Sequence, residues 1–142
     1  MRRMLRLTAL LACLAACGPM TGPGPGMGTA VSGERFEREI AGQVFSFRLA
    51  DGVQTETQFQ PGGTAVYRGG PAALDGVGRW RPWGKGYCAY YPRIGGGPAL
   101  GRLFAGPVAA DGYRCYEVRA ADGYHALFRP DGTYVGALVP LG

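Results

Sequence analysis

Histidine and lysine are almost missing from this sequence, where His125 and Lys85 each stand alone among 142 residues. One histidine and no Cys-x-x-Cys spacing leave no ligand set for a zinc site and no redox dithiol, so neither metal nor cofactor is expected. Serine is confined to Ser32 and Ser46, and no Ser-His-Asp set can be assembled from them. The acidic residues lack the alternate spacing of a calcium loop, and Gly95-Gly96-Gly97 has no following Lys-Ser/Thr or helical pattern to cradle phosphate. The longest apolar stretch, residues 7–16, is half of the roughly 20 residues that a membrane-crossing helix needs. Excess positive charge is also largely absent. Of 15 basic residues, Arg2, Arg3 and Arg6 lie at the very start, which leaves 12 against 10 acidic ones. That balance is ordinary for a globular surface and gives no basis for nucleic-acid binding.

What is abundant is glycine and proline, 26 and 11 residues, all after position 17. Such a chain is dense in turns and has no room for long helices, so the expectation is one β-rich domain. With 46% hydrophobic residues it has enough apolar surface for a packed core.

Three arginines in the first six residues, followed by the uncharged run LTALLACLAA, have the order of a signal-peptide n-region and h-region. The sequence Leu14-Ala15-Ala16-Cys17-Gly18 then resembles the lipobox of bacterial lipoproteins. That resemblance implies diacylglyceryl attachment at the Cys17 thiol and cleavage just before it. The expected division is a signal peptide at 1–16, a lipidated Cys17 with a Gly/Pro-rich tether through 33, and a β-domain at 34–142. Two acyl chains hold a protein on a bilayer stably where one does so marginally. The expected partner is therefore a membrane, reached through the lipid. By the same resemblance, Gly18 in place of Asp argues against inner-membrane retention and points to the periplasmic face of the outer membrane. Residues 18–33 have no hydrophobic period, and such a tether would span ~20–50 Å.

Residues 34–41 form the only helix-like piece, with Phe36 and Ile40 four apart and Gly42 as a stop. Beyond it the period becomes two. Phe45, Phe47 and Leu49 alternate with polar neighbours, and Asp51-Gly52 turns the chain into residues 53–59. Further strands are expected at 64–68, 78–83, 87–91, 113–119, 124–129 and 133–139. Residues 92–112 are expected as a long loop or an irregular edge strand with an apolar patch at 100–104. About eight short strands with regular turn signals fit a small antiparallel barrel or sandwich. The five Asp-Gly pairs supply positive φ at turns, and their carboxylates are assigned no catalytic or metal role.

Cys88 and Cys115 remain once the leader and Cys17 are accounted for, and an even pair in an oxidising compartment is expected to be a disulfide. Arg79, Arg81 and Trp83 form the candidate binding patch, since arginines interleaved with tryptophan can pair and stack with anionic glycans or lipid head groups. Period two places Trp80 on the opposite, core-facing side. His125 alternates away from Tyr124 and Phe128 and is expected at the surface or an edge. Glu117 and Asp111 with His125 are the only groups a hydrolase could use, and no second acid at known distance supports a glycosidase.

The run from Gly78 and Trp80 through Tyr87-Cys88, Cys115-Tyr116, Val118 and Phe128 to Asp131-Gly132 resembles small secreted or lipid-anchored bacterial β-domains of unknown function. This supports fold and disulfide, and implies no substrate. Periplasmic lysozyme inhibitors share such a scaffold, but their Ser-Gly-x-x-Tyr motif is missing. The expected function is a non-enzymatic envelope module that binds a protein, glycan or lipid. The alternative is a cell-wall-directed hydrolase, or an inhibitor of such an enzyme.

Overall fold

A computed structural model describes residues 28–69, 76–90 and 109–142. The leader, Cys17, most of the Gly/Pro-rich segment and the apolar patch at 100–104 lie outside the described residues. The chain runs β1 (Thr29–Ala30), α1 (Gly33–Ile40), β2 (Val44–Leu49), β3 (Gln54–Gln60), β4 (Thr64–Arg68) and β5 (Gly76–Trp83). It continues with β6 (Gly86–Tyr90), β7 (Arg114–Ala121), β8 (Tyr124–Phe128) and β9 (Tyr134–Pro140).

Strands β2 to β9 pair antiparallel with their sequence neighbours, and β9 returns to pair with β2, so the sheet closes on itself. The fold is thus an eight-stranded barrel and not a sandwich, with β1 as one extra strand. Closure removes the edge strands that a small open sheet would expose. Alternation along each strand sends one set of side chains inward. Phe45, Phe47, Phe59, Tyr67, Trp80, Tyr87, Tyr116, Val118, Leu127 and Leu138 form one buried core.

Four of the expected Asp-Gly devices occur as turns, with Gly52, Gly112, Gly123 and Gly132 at positive φ. In three of them the aspartate accepts a hydrogen bond from the backbone N–H two residues on: Asp51 from Val53, Asp111 from Tyr113 and Asp131 from Thr133. Their carboxylates thereby make the turn, as the structural reading requires. Gly76 differs, because it is already the first residue of β5 and is buried.

The helix closes one end of the barrel. Ser32 caps it by accepting a hydrogen bond from the Arg35 N–H at 3.2 Å, and Glu34 occupies its first turn. Phe36 enters the barrel end, stacked on Tyr87 at 4.6 Å and edge-on to Phe59 and Trp80 at 5.1 and 5.7 Å. Burying a phenylalanine and an isoleucine contributes about 1.5–3 kcal/mol each, which is what holds an eight-residue helix too short to be stable alone.

The barrel takes in more of the N-terminal segment than its composition suggests. Thr29 and Ala30 pair with Ala120 and Arg119 of β7, beyond Glu117, where β6 stops pairing. The Val31 N–H donates to the Val118 carbonyl at 2.9 Å, and Val31 is fully buried. Residues 29–33 therefore belong to the folded body rather than to a tether. Backbone pairing asks little of side chains, so a two-residue strand leaves no hydrophobic period to read.

Candidate functional site

Strand β5 alternates as expected: Gly78 and Trp80 are buried, whereas Arg79 and Arg81 are exposed on the outer face and Trp83 is half-buried there. Trp80 is only 3% exposed, and its indole Nε1–H donates to the Gln60 carbonyl at 2.8 Å. It is a core residue with its polar atom satisfied.

The three residues of the candidate patch meet different fates. Arg81 is already engaged. Its guanidinium donates to Asp111 Oδ2 at 2.6 Å and lies 4.2 Å from the centroid of the Tyr113 ring. The Tyr113 N–H and the Arg81 side chain together hold the Asp111 carboxyl below the usual range. Arg81 also lies opposite Cys88 in the β5–β6 register, and Cys88 lies opposite Cys115 in the next. The two cysteines form a disulfide between adjacent strands. Arg81 thus braces the chain entering β7 beside that cross-link, and its charge is spent there.

Arg79 makes no ion pair among the described residues. It borders a shallow hollow of about 230 Å³ with Thr64, Val77, Gly78 and Tyr90. Here Val77 is 63% exposed and Tyr90 38% exposed, which adds apolar surface beside the arginine. Trp83 lies at the far end of the strand and borders a second cleft of about 380 Å³ with Ser32, Gly33, Glu34, Pro82 and Gly84. Arg79 and Trp83 thus border different hollows along the same outer face of β5, with the ion-paired Arg81 between them. The contribution of Ser32 and Glu34 could not be read from the sequence, because it arises from the docking of α1 on the β5–β6 turn, some fifty positions away.

The candidate catalytic groups stay apart. Glu117 faces outward and accepts from Lys85 Nζ at 3.2 Å. Asp111 is bound to Arg81 on the same exterior. His125 is half-buried and set on the inner face, opposite Ala120 on β7 and Leu138 on β9, rather than on the outer face that its alternation with Tyr124 and Phe128 suggests. Its ring is perpendicular to Phe45 with centroids 6.3 Å apart, near the end covered by α1. Partial burial lowers its pKa, with Glu39 opposing that shift and Arg35 reinforcing it. By sequence pattern alone Tyr124 and Phe128 mark the core side of β8. Both face outward instead, and Phe128 is buried there, with the Arg119 guanidinium 4.5 Å from its ring centroid and Tyr134 at 5.6 Å. The barrel wall separates Glu117 from His125.

Inside the barrel, burial pushes the phenols of Tyr67 and Tyr116 up to about 12. Thr55 moderates the first, while the Arg114 and Arg129 charges moderate the second. Among the described residues no three His, Cys, Asp or Glu side chains converge as a metal site would require, and no helix is long and apolar enough to cross a membrane. No family model, no curated protein and no solved structure matches the chain.

Proposed function

We propose that this chain is a lipid-anchored, extracytoplasmic binding module, tethered through Cys17 at the outer membrane and acting without catalysis. The leader, the lipobox-like Leu14-Ala15-Ala16-Cys17 and the disulfide support the address, since disulfides persist in oxidising compartments. The observation that carries the molecular reading is the dispersal of the reactive groups. Glu117 and Asp111 are neutralised by Lys85 and Arg81 outside the barrel wall, and His125 lies inside it. A hydrolase needs its acid and base within reach of one reacting centre. A barrel braced by a disulfide and carrying open clefts on its exterior suits recognition by a preformed surface.

Two measurements test the proposal. Labelling of producing cells with a radioactive fatty acid is expected to mark the wild-type chain and not Cys17→Ser; label surviving in the variant overturns the anchor. Detergent-solubilised protein is expected to retain an envelope component on a column without altering it. Turnover of purified cell-wall material would replace the binding reading with the hydrolytic one.

A further inference from the structure

We infer that the cleft between Trp83 and Glu34 is a binding site for an uncharged sugar ring. The inference rests on the reading of the chain as a binding module and names the ligand class of one cleft. Its starting point is the contrast between the two tryptophans. Trp80 has its indole N–H bonded and its ring edge-on to Phe36 and Phe59. Trp83 is half-buried on the outer face, and among the described residues its indole has neither a hydrogen bond nor a ring contact. Its N–H is open to the solvent of the cleft and, as a donor only, is available to a ligand acceptor.

Glu34 lines the same cleft. Among the described residues its carboxylate makes no ion pair, although Arg35 beside it is bonded to Glu39. The helix dipole favours an acid in the first turn of α1, and the docking of α1 brings this one to the rim of the cleft that Trp83 borders. Ser32 is not a recognition group, because its hydroxyl already caps the helix. The walls are rigid: Pro82 has a fixed φ, and Gly33 packs directly on the Trp83 backbone. At about 380 Å³ the cleft is in the range of small-molecule sites, ~300–1,000 Å³.

The site thus offers one group that only donates, one that only accepts, and an aromatic face. A sugar hydroxyl both donates and accepts, so adjacent hydroxyls satisfy the indole and the carboxylate together. The C–H face of the ring lies on the negative face of the indole. An anionic ligand meets repulsion from Glu34. An ammonium ion would use the carboxylate and the ring but offers no acceptor to the indole N–H.

The test is an NMR titration of the full chain in a sugar-free detergent, following the two indole N–H signals. Methyl β-glucoside and a neutral N-acetylglucosamine oligomer are expected to shift the Trp83 signal saturably, with a dissociation constant of about 1 mM, and to leave the Trp80 signal in place. Trp83→Ala, which loses its own reporter signal and is therefore followed by titration calorimetry with the same sugars, is expected to weaken binding about tenfold. Glu34→Gln keeps the shape of the cleft and is expected to weaken it several-fold, with an unchanged Trp80 signal reporting an intact core. Absence of a saturable shift with either sugar overturns the inference, as does a shift produced by tetramethylammonium instead. A cleft that fails while the protein still retains an envelope component on the column leaves the module reading standing. A sugar that binds at Trp83 and is cleaved keeps the site and overturns the module reading.

Discussion

Gly33 and Trp83 are in backbone contact: a Cβ added to Gly33 would lie 2.6 Å from the Trp83 amide nitrogen. This contact seats the first residue of α1 on the end of β5, and it also forms the floor of the cleft. Gly33→Ala must push the helix off the barrel end or distort the β5–β6 turn. Overpacking of this kind costs about 1–3 kcal/mol. The variant is expected to melt roughly 5–15 °C below wild type by circular dichroism. Gly52→Ala is the control for backbone strain alone, since Gly52 has φ +90° and nothing within 4 Å of the added carbon. Equal melting of Gly33→Ala and wild type would mean that the helix is not seated on Trp83.

Cys88 and Cys115 close a loop of 27 residues in sequence. In the chain-entropy model that constraint stabilises the fold by about 3–4 kcal/mol, a large share of the total of about 5–15 kcal/mol for a domain of this size. The Cys88→Ala/Cys115→Ala variant is expected to melt roughly 15–25 °C below wild type. Wild type in dithiothreitol should approach the variant. Coincident calorimetric traces of wild type and double variant would refute the stabilising role.

Much of the barrel was legible because its strands are amphipathic and its turns are marked. Trp80 inward with Arg79 and Arg81 outward follows from period two, and Asp-Gly pairs stand at the tips between strands. The disulfide followed from cysteine arithmetic. Closure into a barrel was not legible, because β2–β9 pairing joins positions about ninety residues apart and leaves no local pattern. His125 was misplaced for a related reason. Tyr124 and Phe128 look like the core side of β8, yet Phe128 is buried from outside by Arg119 and Tyr134, neighbours that only the closed sheet supplies. The cleft at Trp83 needs α1 and the β5–β6 turn together, so neither half signals it alone.

Tyr67 and Tyr116 hold their protons to about pH 12 in the folded state, whereas an unfolded phenol releases its proton near the ordinary value of 10.0. The folded form therefore binds more protons between these values, and stability falls as pH rises through that window. Spectrophotometric titration at alkaline pH is expected to show tyrosines that ionise late and together with loss of the fold. Tyr67→Phe should flatten the dependence of denaturant midpoint on pH above 10. An unchanged slope would show that Tyr67 ionises as freely in the barrel as in water.

His125 supplies a dependence at the acid side. Its folded pKa lies below the ordinary value of 6.5, chiefly because burial disfavours the cation, with Glu39 opposing and Arg35 adding to the shift. The unfolded chain then binds more protons than the folded one as pH drops below 6.5. Stability is full above that value, is lost as pH falls through the window down to the folded pKa, and levels off beneath it. The residues that feel this loss are those at the helix-covered end, because the Phe45 ring stands edge-on to the imidazole and the charges of Glu39 and Arg35 on α1 act on it. Chemical denaturation between pH 7.5 and 5 is expected to show a falling midpoint in wild type and a flatter one in His125→Phe. The variant replaces the imidazole by a ring that carries no proton and remains compatible with Phe45. Parallel pH profiles in the two proteins would assign the loss to carboxylates elsewhere, and with it would go the argument that His125 is held neutral inside the barrel.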